Sequence, residues 1–168
     1  MRKMENELKG FFADWFTALE EGLDKLSTEE CSRLFSGCAR RCSKDALKYL
    51  YRGLFDECEG DLDKFFSRVH ERKNVDGKVI EPGKEYELIF TSCDCPLRTD
   101  AGITSPRLCA CSKESMICVF KDLVPDRKFV LEQMTTILGG SDKCSYRITF
   151  KQKEKYEEYN YRRPQQIR

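Results

Sequence analysis

Four cysteines stand as two C-x-C pairs, Cys93/Cys95 and Cys109/Cys111, with 13 residues between them that include Pro96, Gly102 and Pro106. Four thiolates are the number a tetrahedral metal takes, with each sulfur near 2.3 Å. Both members of a C-x-C pair can reach one ion if they turn inward from a loop, and Asp94 and Pro96 favour a loop there. Zinc is the candidate ion, because closed thiolate sets hold it. An iron–sulfur cluster also takes four cysteines, although the usual C-x₂-C-x₂-C run is absent. A second group, Cys31, Cys38 and Cys42, precedes these pairs. Cys38 and Cys42 share a face if the segment is helical, so they are further metal candidates that can join either pair. Arg40 and Arg41 beside them would favour the thiolate form. The plain alternative is a set of reduced thiols that fill space, with Cys58, Cys118 and Cys144 the first candidates for that role.

The same stretch offers a catalytic reading. Cys95 or Cys109 would be the nucleophile, with Asp94, Asp100 or Glu114 as acid or base. Arg98 and Arg107 flank the loop and would hold a carboxylate-bearing ligand through a bidentate fork, unless they are solvated loop charges. The single histidine, His70, sits among charged residues and reads as a surface group. No G-x-S-x-G, P-loop, G-x-G-x-x-G or H-E-x-x-H motif occurs in the chain.

The elements that must position these residues follow from periodicity. Leu8, Phe11, Phe12, Trp15, Phe16, Leu19, Leu23 and Leu26 recur at helical steps, as a core-facing stripe. Ser27 with Glu30 forms a capping box for a second helix ending near Gly37. Ser43 caps a third, through Ala46, Leu47, Leu50, Tyr51, Leu54 and Phe55. Gly60-Asp61 breaks the chain, and a fourth helix carries Leu62, Phe65, Phe66 and Val69. The period then changes. Asp76-Gly77 and Pro82-Gly83 read as tight turns. Lys78–Ile80 and Tyr86–Thr91 read as strands, with Tyr86, Leu88 and Phe90 on one face. After the cysteine loop, Ser112 caps a helix with Met116, Val119, Phe120 and Leu123 inward. Phe129–Ile137 and Cys144–Phe150 form a hairpin across Gly139–Asp142. The expected fold is α+β: about four N-terminal helices packed on an antiparallel or mixed sheet, with one or two further helices. The expected organisation is one domain over 1–155, helical over 1–72 and sheet-bearing over 73–151, then a polar tail over 156–168.

Composition narrows the partners. The chain has 168 residues, 35% of them charged, yet a net charge of only +1. That balance argues against nucleic acid, and Tyr156, Tyr159 and Tyr161 beside Arg162 and Arg163 read as a solvated face. No run approaches the roughly 18 apolar residues of a membrane span. The N-terminus lacks a signal core, so a cytoplasmic location and reduced thiols are expected. The expected partner is a small-molecule ligand, with a homodimer also open. An aromatic first helix that proved exposed would point to a partner surface.

The C-terminal half resembles a known pattern. Cys95-Pro96-Leu97, the helix over 113–123, and the run Gly139-Gly140-Ser141-Asp142-Lys143-Cys144-Ser145-Tyr146-Arg147-Ile148 look like the L-2-amino-thiazoline-4-carboxylic acid hydrolase-like family. They are similar also to the related 4-vinyl reductase type of small-molecule-binding domain. The resemblance covers roughly residues 30–150. It implies a helical region on an α/β domain with an antiparallel sheet and a cavity. It also implies ring-opening hydrolysis of a small sulfur heterocycle, or binding of a hydrophobic or cyclic ligand, with Cys95, Cys109, Cys111 and Cys144 as the positions to watch; a small amide or other cyclic substrate is what the thiol-enzyme reading would take. The extra cysteines and the two C-x-C pairs depart from that pattern. Three readings therefore stand together: a cysteine-rich metal-binding domain, a non-catalytic small-molecule-binding or sensing domain, and a thiol-dependent hydrolase without metal.

Overall fold

The computed structural model describes residues 2–46 and 50–151. Leu47 in the expected third helix lies outside them, as does the tail over 156–168. The chain is an α+β fold in which an N-terminal set of helices packs against a four-stranded antiparallel sheet. The helices are α1 (Arg2–Leu23), α2 (Thr28–Ala46), α3 (Arg52–Glu57) and α4 (Leu62–Arg68), followed by β1 (Val75–Glu81) and β2 (Glu85–Phe90). Then come the short α5 (Pro96–Thr99), α6 (Cys109–Leu123), β3 (Phe129–Thr135) and β4 (Cys144–Phe150). The strand order is β1-β2-β4-β3. Register places Leu88 and Gln133 on either side of Tyr146, and Phe90 opposite Cys144.

The main core lies between α3, α4, α6 and the sheet. Tyr86, Leu88, Tyr146, Ile148 and Phe150 from the sheet meet Leu54, Phe65, Phe66, Val119 and Phe120 from the helices. Phe66 stacks on Tyr86 at 4.4 Å and on Phe120 at 5.8 Å between ring centroids. A smaller cluster joins Phe16 and Leu23 of α1, Phe35 of α2, and Ile103 and Leu108 of the loop before α6.

Some expectations change. Helix α2 does not stop at Gly37 but runs on to Ala46. Ser43 caps nothing there: its hydroxyl donates to the Arg40 carbonyl within the same helix, at 3.1 Å. One glycine costs about 1 kcal/mol in a helix, and the packing of Phe35, Ala39 and Ser43, all buried, outweighs it. Asp76-Gly77 is not a turn but the interior of β1. A Cβ at Gly77 would fall 2.3 Å from the Phe66 carbonyl oxygen, so the glycine serves close approach of α4 rather than a reversal. Pro82-Gly83 does turn the chain, with Gly83 at φ 72°. Helix α6 begins at Cys109, three residues before Ser112.

The largest change concerns α1. Its apolar stripe spans roughly 140° of the helix circumference at 100° per residue. The domain covers only one edge, at Phe16 and Leu23, and only the C-terminal half. Leu8, Phe11, Phe12, Trp15 and Leu26 are exposed rather than core.

Candidate functional site

The cysteine positions converge, though not as two pairs. Because α6 starts at Cys109, Cys109 and Cys111 both lie in a helical first turn. Residues two apart on a helix face away from each other, so this pair does not pinch one ion. Cys109 is buried and has Cys144, Cys93 and Cys95 as its charge neighbours. Cys111 has instead Cys42, Cys38 and Cys95. The other C-x-C pair divides less cleanly. Cys93 neighbours Cys109, Cys144 and Tyr146, while Cys95 neighbours Cys42 and Cys111 and also reaches Cys109.

Two thiol groups therefore adjoin. The inner one, Cys93, Cys109 and Cys144, abuts Tyr146 on the sheet. The outer one, Cys38, Cys42, Cys95 and Cys111, is gathered from α2, the loop after β2, and α6. The close packing of α2 on α6 brings it together, with the Ser32 hydroxyl bonded to the Glu114 carboxylate at the same interface. All ten cysteines are unbridged. Such a donor set suits a soft cation, yet no three His, Cys, Asp or Glu side chains among the described residues gather closely enough to hold one.

For several of these thiols burial favours the neutral form. Burial pushes Cys111 up to about 12, and the neighbouring thiols Cys42, Cys38 and Cys95 add to the shift. Burial likewise raises Cys109, Cys144 and Cys118. Cys42 lies on the rim, where partial burial and then Cys95 and Cys38 raise it; Arg41 pulls the other way and is outweighed. A raised thiol is a weak nucleophile at neutral pH.

The other candidate residues are engaged in holding the loop. The Asp94 carboxylate accepts from Asn74 Nδ2 at 2.9 Å and from the Ser92 hydroxyl at 2.7 Å. Those two bonds lower its pKa, so it is an ionised anchor with little basicity. Arg98 donates to the Cys93 carbonyl at 3.1 Å. The Arg107 guanidinium is paired with Asp24, the first residue after α1. His70 is exposed.

Sequence reasoning missed two tyrosines at the inner edge of this region. Tyr146 is 2% exposed, and its oxygen accepts from Gln133 Nε2 at 3.1 Å; the same Gln133 nitrogen also donates to the Cys109 carbonyl at 3.2 Å. Tyr51 is also 2% exposed and lies in electrostatic reach of Tyr146. Among the described residues its hydroxyl has no hydrogen-bond partner. Nothing in the local sequence marks Tyr51, since an aromatic at a helical step reads as core. Elsewhere, a surface cleft of about 380 Å³ is lined by Glu57, Cys58, Asp63, Lys64, Ser67 and Arg68. Its arginine is already taken up by Glu57 at 2.9 Å and Glu71 at 2.7 Å.

Among the described residues no helix is long and apolar enough to cross a membrane. No protein family matches the chain, and no curated protein does. Among solved structures it is similar to a trafficking protein particle complex subunit 3 from Naegleria fowleri covalently bound to palmitic acid. That likeness is 10% identical, covers 90% of this chain and 98% of that one, and has a TM-score of 0.40. It is similar also to an H-NOX protein from S. oneidensis in the Fe(II)NO ligation state. There the identity is 19%, over 81% of this chain and 72% of that one, with a TM-score of 0.39. At these TM-scores neither likeness bears on function.

Proposed function

We propose that the chain is a non-catalytic small-molecule-binding or sensing domain of the cytoplasm, with its ligand seated where Tyr51 and Tyr146 meet the inner thiols. The observation that carries this is the Tyr51 hydroxyl, buried with no partner among the described residues. A buried donor left unmade costs about 1–3 kcal/mol, which an acceptor supplied by a ligand would recover. Apolar walls with a few convergent polar groups are what such sites use. Phe65 packs edge-on to Tyr51 at 6.2 Å and Phe90 edge-on to Tyr146 at 5.9 Å. The ligand is therefore a compact, largely apolar molecule with one acceptor oxygen. Burial raises Cys109, Cys111 and Cys144 and hydrogen bonds hold Asp94 ionised, so these four favour binding over nucleophilic or acid–base work. The 4-vinyl reductase type of domain, which the C-terminal half resembles, fits the same reading. Titration with a panel of small cyclic ketones and lactones, followed by calorimetry, tests it. Saturable heat in the native chain and none in Tyr51→Phe is expected; equal heats in both chains would sink it.

A second reading has its own observation, the gathering of Cys38, Cys42, Cys95 and Cys111 from three elements. No three of them stand at ligating distance here, so side-chain rotation would have to draw them together; as thiolates they would then hold zinc in a structural rather than catalytic part, and the cation would offset their mutual repulsion. A metal count on anaerobically purified chain, joined to an absorbance spectrum, tests this and separates colourless zinc from a coloured iron–sulfur cluster. A fully folded chain with no metal at stoichiometric zinc would end this second reading and leave the first standing.

A further inference from the structure

The domain reaches the N-terminal part of α1 along the edge near Lys9, which Gly102 approaches, and leaves its apolar face uncovered. Every described side chain from Met4 to Phe12 is exposed. Met4 is 69% exposed, Leu8 54%, Phe11 59%, Phe12 40% and Trp15 56%. Met4, Leu8, Phe11 and Trp15 are spaced by four, three and four residues. That is the a/d spacing of a helix that packs along another helix. Below this seam the chain anchors α1 firmly, through Phe16 and Leu23 in the core, Ser105 bonded to Glu20, and Arg107 paired with Asp24.

We propose that this seam pairs with the same seam of a second copy of the chain, as a two-fold helix–helix contact. The available area matches. A whole aromatic side chain buries on the order of 150–250 Å². Three aromatics with Met4 and Leu8 beside them, each about half exposed, therefore offer roughly 500 Å² per chain when fully covered. Two copies reach about 1,000 Å² before any rim residue is added, the lower bound for a specific interface. The flanks also suit self-pairing. Phe12 and then Glu5 border the seam on one side, and Glu7 and Asp14 border it on the other. A contact centred on Leu8 and Trp15 buries apolar surface against its copy and leaves these acids at the rim. With a net charge of +1, two copies do not repel at long range. A two-fold contact presents each patch to itself, which this continuous apolar stripe can satisfy without a second surface.

Trp15 is the only tryptophan, so fluorescence excited selectively at tryptophan reports this face alone. Sedimentation equilibrium on the full chain should give the mass of two copies, with Trp15 emission shifting to the blue as concentration rises through the association range. Leu8→Glu with Phe11→Glu should give one copy, red-shifted emission and the thermal midpoint the native chain shows when diluted below its association range, because both side chains are solvent-facing in the monomer and pairing alone raises the midpoint. A chain ending at Lys151 should still pair. One copy at about 100 µM, pairing that survives the double substitution, or pairing lost with residues 152–168 would each overturn the proposal. So would a single-copy chain whose Trp15 emission shifts only on addition of phosphatidylcholine vesicles.

Discussion

Cys109 and Cys111 stand two residues apart on the first turn of α6 and belong to different surroundings, Cys109 among the inner thiols beside Tyr146 and Cys111 among the outer thiols on α2. The helix makes this unavoidable, because two residues turn through roughly 200°. Chemistry at one of these sulfurs is therefore separable from chemistry at the other.

Alkylation should show the separation. With its thiol held up to about 12, Cys111 carries on the order of a thousandfold less thiolate at neutral pH than a free cysteine. The greater nucleophilicity of a basic thiolate offsets part of that. Mass-resolved alkylation should find Cys111 roughly a hundredfold slower in the folded chain than in urea. Equal rates would mean that the burial of Cys111 is not present in solution.

The same thiol gives the protein an alkaline limit. Its folded pKa lies above the ordinary value of 9.0, so the unfolded chain releases its proton first. Stability from this group is full below about pH 9 and falls as pH rises toward about 12. Tyr51, Tyr86 and Tyr146, all raised chiefly by burial, act in the same direction. Thermal midpoints should fall steeply above pH 9, and Cys111→Ser should soften that fall without moving the midpoint's acid side.

Asp94 sets an acid-side effect of opposite sign. Its hydrogen bonds from Asn74 and Ser92 lower its pKa, so its contribution is present above about pH 4 and lost below it. The group is exposed and screened, which keeps the contribution to a few tenths of a kcal/mol. Asn74→Ala should weaken this acid dependence and raise the proteolysis rate of the loop after β2, read by limited digestion at pH 7.

Gly77→Ala should destabilise the fold by about 2 kcal/mol or more, since a Cβ would meet the Phe66 carbonyl at 2.3 Å and Val69 Cγ1 at 2.6 Å. Urea titration measures it. A neutral outcome would mean that α4 does not press on β1 as described.

Tyr51→Phe should stabilise the ligand-free chain by about 1 kcal/mol, because it removes a buried hydroxyl with no partner. Denaturant midpoints of the two chains decide this, and a loss of stability would show that the hydroxyl is already satisfied.

Much of the backbone was legible in the order of residues. The alternation of Cys144, Tyr146, Ile148 and Phe150 gave β4, and all four are buried. Met116, Val119, Phe120 and Leu123 gave the inner face of α6, and Ser27 with Glu30 gave the start of α2, where the Ser27 amide donates to Glu30 Oε2 at 2.9 Å. These are local facts, set by side-chain period and by which groups within a turn can hydrogen-bond. Tertiary structure alone decided the rest. Gly77 reads as a turn until α4 lies against it. Leu8, Phe11 and Trp15 read as core until the domain proves to cover only the other end and edge of α1. The cysteines read as two pairs until α6 begins three residues early and parts them. Periodicity fixes which side chains share a face, but the neighbour that face meets depends on residues distant in sequence.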